Sequence, residues 1–134
     1  MSAYGVGPAG ATSVTPTSRC TQTKIGKLEA GDTTTGVAVF GLPKHAFISG
    51  VYTISMGANT TQTIEAGFTD GGADLLTAFA PNSTGYATSG TATGASVGTQ
   101  LTADKTVYLT ASATLTNPVF VKVEYWIPPQ GLGF

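Results

Sequence analysis

Charge is scarce in this sequence: six Lys and Arg and seven Asp and Glu make up 10% of 134 residues and leave a net charge of −1. No cluster of Lys or Arg exists to displace counterions from phosphates, so the electrostatic basis for nucleic-acid binding is missing. Cysteine occurs once, as Cys20, which excludes an internal disulfide framework. No apolar run approaches the roughly 20 residues of a membrane-spanning helix. Residues 1–18 lack the basic segment and apolar run of a secretory signal. The expectation is a chain made and folded in a reducing cytoplasm, with no membrane partner. No stretch makes a convincing helix, and no sequence period recurs. A chain of this length fits one domain, and burial of roughly 70% of its unfolded surface holds it without a disulfide or a metal.

Polarity comes instead from neutral groups, with 24 Thr and 18 Gly. Thr is β-branched, favours strands and gives a sheet a hydrogen-bonding face without charge. A nearly neutral surface also leaves little self-repulsion and promotes association, which suits a subunit better than a free monomer.

The clearest strand runs from Asn117 to Pro128. Val119, Val121, Val123 and Tyr125 fall on one face at period two, and Phe120, Lys122, Glu124 and Trp126 on the other. The first face is core. The second mixes a cation, an anion and two aromatics, as a partly exposed sheet surface or a subunit contact does. Further strands are expected over Cys20 to Leu28, Thr35 to Leu42, Ala46 to Met56, Thr63 to Thr69 and Thr106 to Ala111, separated by turn signals at Gly31-Asp32, Leu42-Pro43, Gly57 to Thr60 and Asp70 to Asp74. In Ala46 to Met56 apolar residues occupy both parities around Gly50, which predicts a bulge or a change of sheet. Leu75 to Phe79 fits a helical turn or a strand, with the strand preferred. Pro81 to Gly98 reads as a long surface loop with room for one edge strand.

Six to eight short strands and no helix predict an all-β, antiparallel two-sheet sandwich, jelly-roll-like, with a closed barrel as the alternative. The expected core is Val37, Val39, Ile48, Ile54, Ile64, Phe68, Val107, Leu109, Val119, Val121 and Val123. The sandwich spans 19–127. Residues 1–18, rich in Gly, Pro, Ser, Thr and Ala, form an extended arm, and 128–134 a Pro/Gly tail. Tyr4, Val6 and Val14 are candidate anchors of the arm on another surface, the alternative being a frayed terminus. With Phe120, Trp126, Leu132 and Phe134 they make up the candidate partner contacts.

Chemistry is thin. His45 stands at a strand start beside Pro43 and Lys44, with no Cys or carboxylate placed near it by the sequence, and reads as an exposed turn histidine. Cys20 has no base aligned with it and reads as an inert thiol. Asp70 and Asp74 flank two glycines without the alternating acids and terminal Glu of a Ca²⁺ loop, and read as turn caps. The glycines nearby lack the Gly-Lys-Ser/Thr of a phosphate loop. Tyr4, Tyr86, Tyr108 and Trp126 fit either packing or stacking on sugar rings. No catalytic residue, cofactor or metal site is expected, and the chain is not expected to be an enzyme.

The succession VAVFGLPKHAFISGVYTIS, a short strand ending in FTDGGADLL, a small-residue loop, DKTVYLTASAT and a terminal VFVKVEYWIP resembles small structural proteins of tailed bacteriophages. In that group a strand runs into a Leu-Pro motif and an Ala-led strand, and the chain closes with two valine- and tyrosine-bearing strands. The resemblance covers about Gly36 to Ile127; Lys44-His45 stands where a small Gly-Ala pair is common. It implies a capsid decoration, or cement, protein: a β-sandwich on the head surface of a virion, associating with itself, preferentially as a trimer, and with the major capsid protein. A carbohydrate-binding or adhesin module is the alternative from another class.

Overall fold

The computed structural model describes residues 21–31, 36–59, 61–81, 85–88 and 94–129. Eight strands follow in order: β1 (Gln22–Leu28), β2 (Val37–Leu42), β3 (Phe47–Ser55), β4 (Ile64–Gly67), β5 (Leu76–Phe79), β6 (Gly85–Thr88), β7 (Lys105–Ala111) and β8 (Val119–Trp126). They pair antiparallel into two four-stranded sheets, ordered β1-β8-β3-β6 and β2-β7-β4-β5. The fold is the two-sheet antiparallel sandwich that the alternating pattern predicts, and the described residues contain no helix. Every connection except β4 to β5 passes from one sheet to the other.

β8 lies inside the first sheet, hydrogen-bonded to β1 and β3. Its alternation is strict: Val119, Val121, Val123 and Tyr125 are buried and the residues between them half-buried. The Tyr125 hydroxyl donates to Gln22 Oε1 at 3.3 Å, which keeps a polar tip satisfied at the margin of an apolar interior. Leu28, Ile48 and Val51 from the first sheet, Leu42, Ile64, Ala66, Leu76, Val107, Leu109 and Ala111 from the second, and Ala46, Leu75, Leu101 and Leu115 from the connections fill the rest of the core. Val121→Ala is expected to lower stability by about 1–3 kcal/mol through lost transfer energy and a residual cavity. An unchanged denaturant midpoint would contradict this.

The expected core needs four corrections. Ile54 is not in it. The pairing of β3 with β8 slips between Ile48 and Gly50, so Ser49 is an extra residue and the inward parity changes: Ile48 faces in, then Val51, Thr53 and Ser55, all buried. Tyr52 and Ile54 are thereby turned outward. Val37, Val39 and Phe68 are half-buried and pack against the core from its rim. Val39 sits at a second irregularity, between Ala38 and Phe40, and reaches the first sheet: a Cβ on Gly26 would lie 2.6 Å from its Cγ2. Only a residue without a side chain lets β1 and β2 approach so closely.

At one end of the sandwich, Asn59 is fully buried. Its Oδ1 accepts the backbone N–H groups of Thr116 and Asn117, both at 2.9 Å, its Nδ2 donates to Asn117 O at 3.2 Å, and its own N–H donates to Pro81 O at 2.9 Å. Gln62 Nε2 donates to Thr114 O at 2.7 Å. Two side chains of the β3–β4 connection therefore hold the β7–β8 connection in place. At the opposite end lie the starts of β1, β3 and β7 and the end of β8.

Candidate subunit interface on the first sheet

Directly opposed residues of an antiparallel pair point to the same face, so the register defines the outward surface of the first sheet row by row. Lys27, Phe120 and Ile54 form one row across β1, β8 and β3; Ile25, Lys122 and Tyr52 the next; Thr23, Glu124 and Gly50 a third; and Trp126 and Phe47 the last. Six of these side chains are large and apolar or aromatic. Ile25 is 56% exposed, and Met56 just past β3 is 57% exposed; Phe47, Tyr52, Ile54, Phe120 and Trp126 are half-buried.

Neighbouring groups determine how these side chains lie. The rings of Phe47 and Trp126 are tilted at 56° with centroids 6.2 Å apart, a favoured arrangement for aromatic quadrupoles. Lys27 Nζ sits 5.4 Å from the centroid of Phe120 and Lys122 Nζ 4.8 Å from that of Tyr52. Lys122 also pairs with Glu124 at 3.5 Å, and Lys27 with Glu29 at 3.2 Å. Each such contact is worth little in water. Together they lay the lysine stems along aromatic surface and match each cation with an anion. The result is an apolar sheet face whose charges are paired within itself.

The outward face of the second sheet differs. Its rows are Ala38, Tyr108 and Gly67; Gly41 and Thr106; and Thr110 and Glu65. Most of these side chains are small or polar. The loop after β4 folds back over them, with the Gly71 N–H donating to Thr110 Oγ1 at 3.2 Å. Asp74 Oδ2 accepts the Phe68 N–H at 2.9 Å across its own turn, whereas Asp70 Oδ1 accepts the Gly36 N–H at 2.7 Å and ties the loop to the start of β2 instead of capping its own turn.

Of the candidate contacts, Phe120 and Trp126 lie on the apolar face of the first sheet, while Tyr4, Val6, Val14, Leu132 and Phe134 lie outside the described residues, as does Cys20. The sequence missed Ile25, Phe47, Tyr52 and Ile54 as companions of Phe120 and Trp126. The signal was present at Gly50, since one skipped residue there aligns Tyr52 and Ile54 with the outward parity of β8. His45 adopts φ 75° in the turn from β2 to β3; its N–H donates to Leu101 O at 2.9 Å, and the Ala46 N–H closes the turn on Pro43 O at 3.2 Å. Among the described residues no group of three or more His, Cys, Asp or Glu is placed to hold a metal ion, and no helix is long and apolar enough to cross a membrane. An open cleft of about 510 Å³ lies beside β1, between Lys24, Leu42, Pro43, Asp104, Lys105 and Tyr125.

A phage capsid chain has a similar fold. The similarity is to a chain of the cyanophage Pam1 capsid asymmetric unit, with a TM-score of 0.54 and 21% identity, over 96% of this chain and 93% of that one. No family model matches the sequence, and no curated protein is similar to it at the level of sequence.

Proposed function

We propose that the protein is a non-enzymatic structural component of a tailed-phage virion: a decoration, or cement, protein that binds the outer surface of the head and stabilises it. The observation that carries this is the likeness in fold to a cyanophage capsid chain along nearly the whole of both chains. The strand order β1-β8-β3-β6 over β2-β7-β4-β5 supports it, being the order of a jelly roll, an arrangement common in viral capsid domains. So does the apolar face of the first sheet, which a free monomer would leave wet.

In this role the sandwich associates with itself, the trimer being the arrangement that the family resemblance implies, and attaches to the major capsid protein on the virion surface. The arm, 1–18, serves attachment: its Gly and Pro content and few apolar residues cannot repay the entropy of ordering it alone, whereas a neighbouring subunit supplies the missing apolar surface. Deletion of residues 2–18 is expected to leave the far-ultraviolet spectrum unchanged and to weaken attachment to heads lacking the protein, measured by co-sedimentation and by electron microscopy of the particles. A truncated chain that decorates heads as tightly as the full one would remove the arm from this role. Failure of the full chain to bind heads would remove the role itself.

The aromatic rings of Phe47, Tyr52 and Trp126 on one sheet face favour a second function, sugar binding. Quenching of Trp126 fluorescence by oligosaccharides, with the protein remaining monomeric, would select it.

A further inference from the structure

We infer that the outward face of the first sheet seats the uncharged N-terminal arm of a neighbouring copy, with Ile25, Tyr52, Ile54, Phe120 and the Phe47–Trp126 pair as the receiving surface. The inference rests on the proposed role as a self-associating building block and names the contact by which copies join.

Three observations select the arm. The first is charge. Residues 1–18 contain no Asp, Glu, Lys, Arg or His, and the face they would cover already pairs Lys122 with Glu124 and Lys27 with Glu29. An uncharged segment can lie over the apolar rows, leaving Lys27–Glu29 on the edge strand in water and bringing no further charge against Lys122–Glu124 in the middle of the face. A second sheet laid face to face would instead desolvate the ion pairs of both copies, at a cost their attraction does not reliably return.

The second is position. The chain enters β1 at Gln22, which is paired with Tyr125, one residue from Trp126. The arm therefore departs from the edge of the sheet in question, at the end where the Phe47–Trp126 pair lies. The third is reach. Residues 2–18, extended at about 3.3 Å each, span roughly 55 Å, against about 19 Å for four strands at 4.8 Å spacing. A segment of that length crosses its own sheet and continues onto a neighbour. Tyr4 and Val6 share a parity in an extended chain, and Val14 stands eight residues beyond Val6, about 26 Å along a strand-like segment and close to the length of β8. Exchange of such arms leaves each copy both donor and acceptor, which closes readily into a ring.

The test uses the full chain. Ile25→Lys alters an exposed side chain and Trp126→Ala a half-buried one; either is expected to raise the self-dissociation constant about tenfold or more, as loss of a central contact does, in sedimentation equilibrium. A far-ultraviolet spectrum and melting temperature close to those of the parent confirm that each variant folds. The triple change Tyr4→Ser, Val6→Ser, Val14→Ser is expected to cause the same loss, and combining it with Ile25→Lys to add little more, because both remove one contact. Face variants that dissociate while the arm variant associates normally would overturn the inference in favour of sheet-to-sheet packing. Additive losses would overturn it too, as would unchanged association in both. Head binding, scored in parallel, separates the two proposals: a chain that self-associates through the arm and ignores heads sinks the capsid role alone, and one that decorates heads with arm and face variants unaffected sinks this contact alone.

Discussion

Asn59→Ala is expected to destabilise the protein by roughly 3 kcal/mol, a large effect for a residue in a connection. The side chain is fully buried and its Oδ1 serves two consecutive backbone donors, Thr116 and Asn117. Truncation removes both bonds together with the one from Nδ2 to Asn117 O. The cost of an unsatisfied buried group, about 1–3 kcal/mol each, exceeds the net worth of the bonds themselves, and partial access of water to Thr116 holds the total below the sum. Denaturant unfolding measures the shift. Asn59→Asp keeps the acceptor and loses the donor while burying a charge, so it is expected to be no better than Ala at neutral pH. A midpoint unchanged in both variants would show that the β7–β8 connection holds its shape without this residue.

Gly67→Ala is expected to cost about 2–3 kcal/mol by overpacking. A Cβ there would lie 2.4 Å from the carbonyl carbon and 2.6 Å from the oxygen of Gly72. These are backbone atoms of a turn fastened by the Gly72 N–H to Thr69 O at 2.9 Å and by Asp70 and Asp74, so they cannot swing aside as a flexible side chain would. Gly41→Ala is the control, since its Cβ would meet nothing closer than the Lys105 oxygen at 3.7 Å. Thermal unfolding should separate the two variants clearly. Equal melting temperatures would mean that the 68–74 loop lifts off the second sheet without penalty.

The parts of the fold legible in the sequence are those where one physical signal acts alone. β8 has no bulge and one buried face, so its alternation gave the core residues Val119, Val121 and Val123 and the outward pair Phe120 and Trp126 directly. In β3 two signals overlap: the apolar residues on both parities announce an irregularity, but only the pairing with β8 shows that it falls at Ser49 and turns Ile54 out. Asn59 was illegible for a different reason. An Asn after Gly57-Ala58 looks the same whether it caps an exposed turn or anchors a distant connection, and only the packing of the two loops distinguishes them. The candidate interface was half visible, through Phe120 and Trp126, because Ile25, Phe47, Tyr52 and Ile54 join those residues only once strands far apart in sequence are set side by side.

The pairing of the first strand with the last has a temporal meaning. Gln22 and Tyr125, which meet at the mouth of the sandwich, are 103 residues apart. At about 5–20 residues per second, β1 leaves the ribosome many seconds before its hydrogen-bonding partner exists. Until β8 arrives, the row of Ile25, Lys122 and Tyr52 cannot be assembled, and β1 lacks the strand it pairs with. Completion of synthesis is therefore what closes the first sheet: a chain that stops short of β8 leaves β1 and β3, which both pair with it, unjoined.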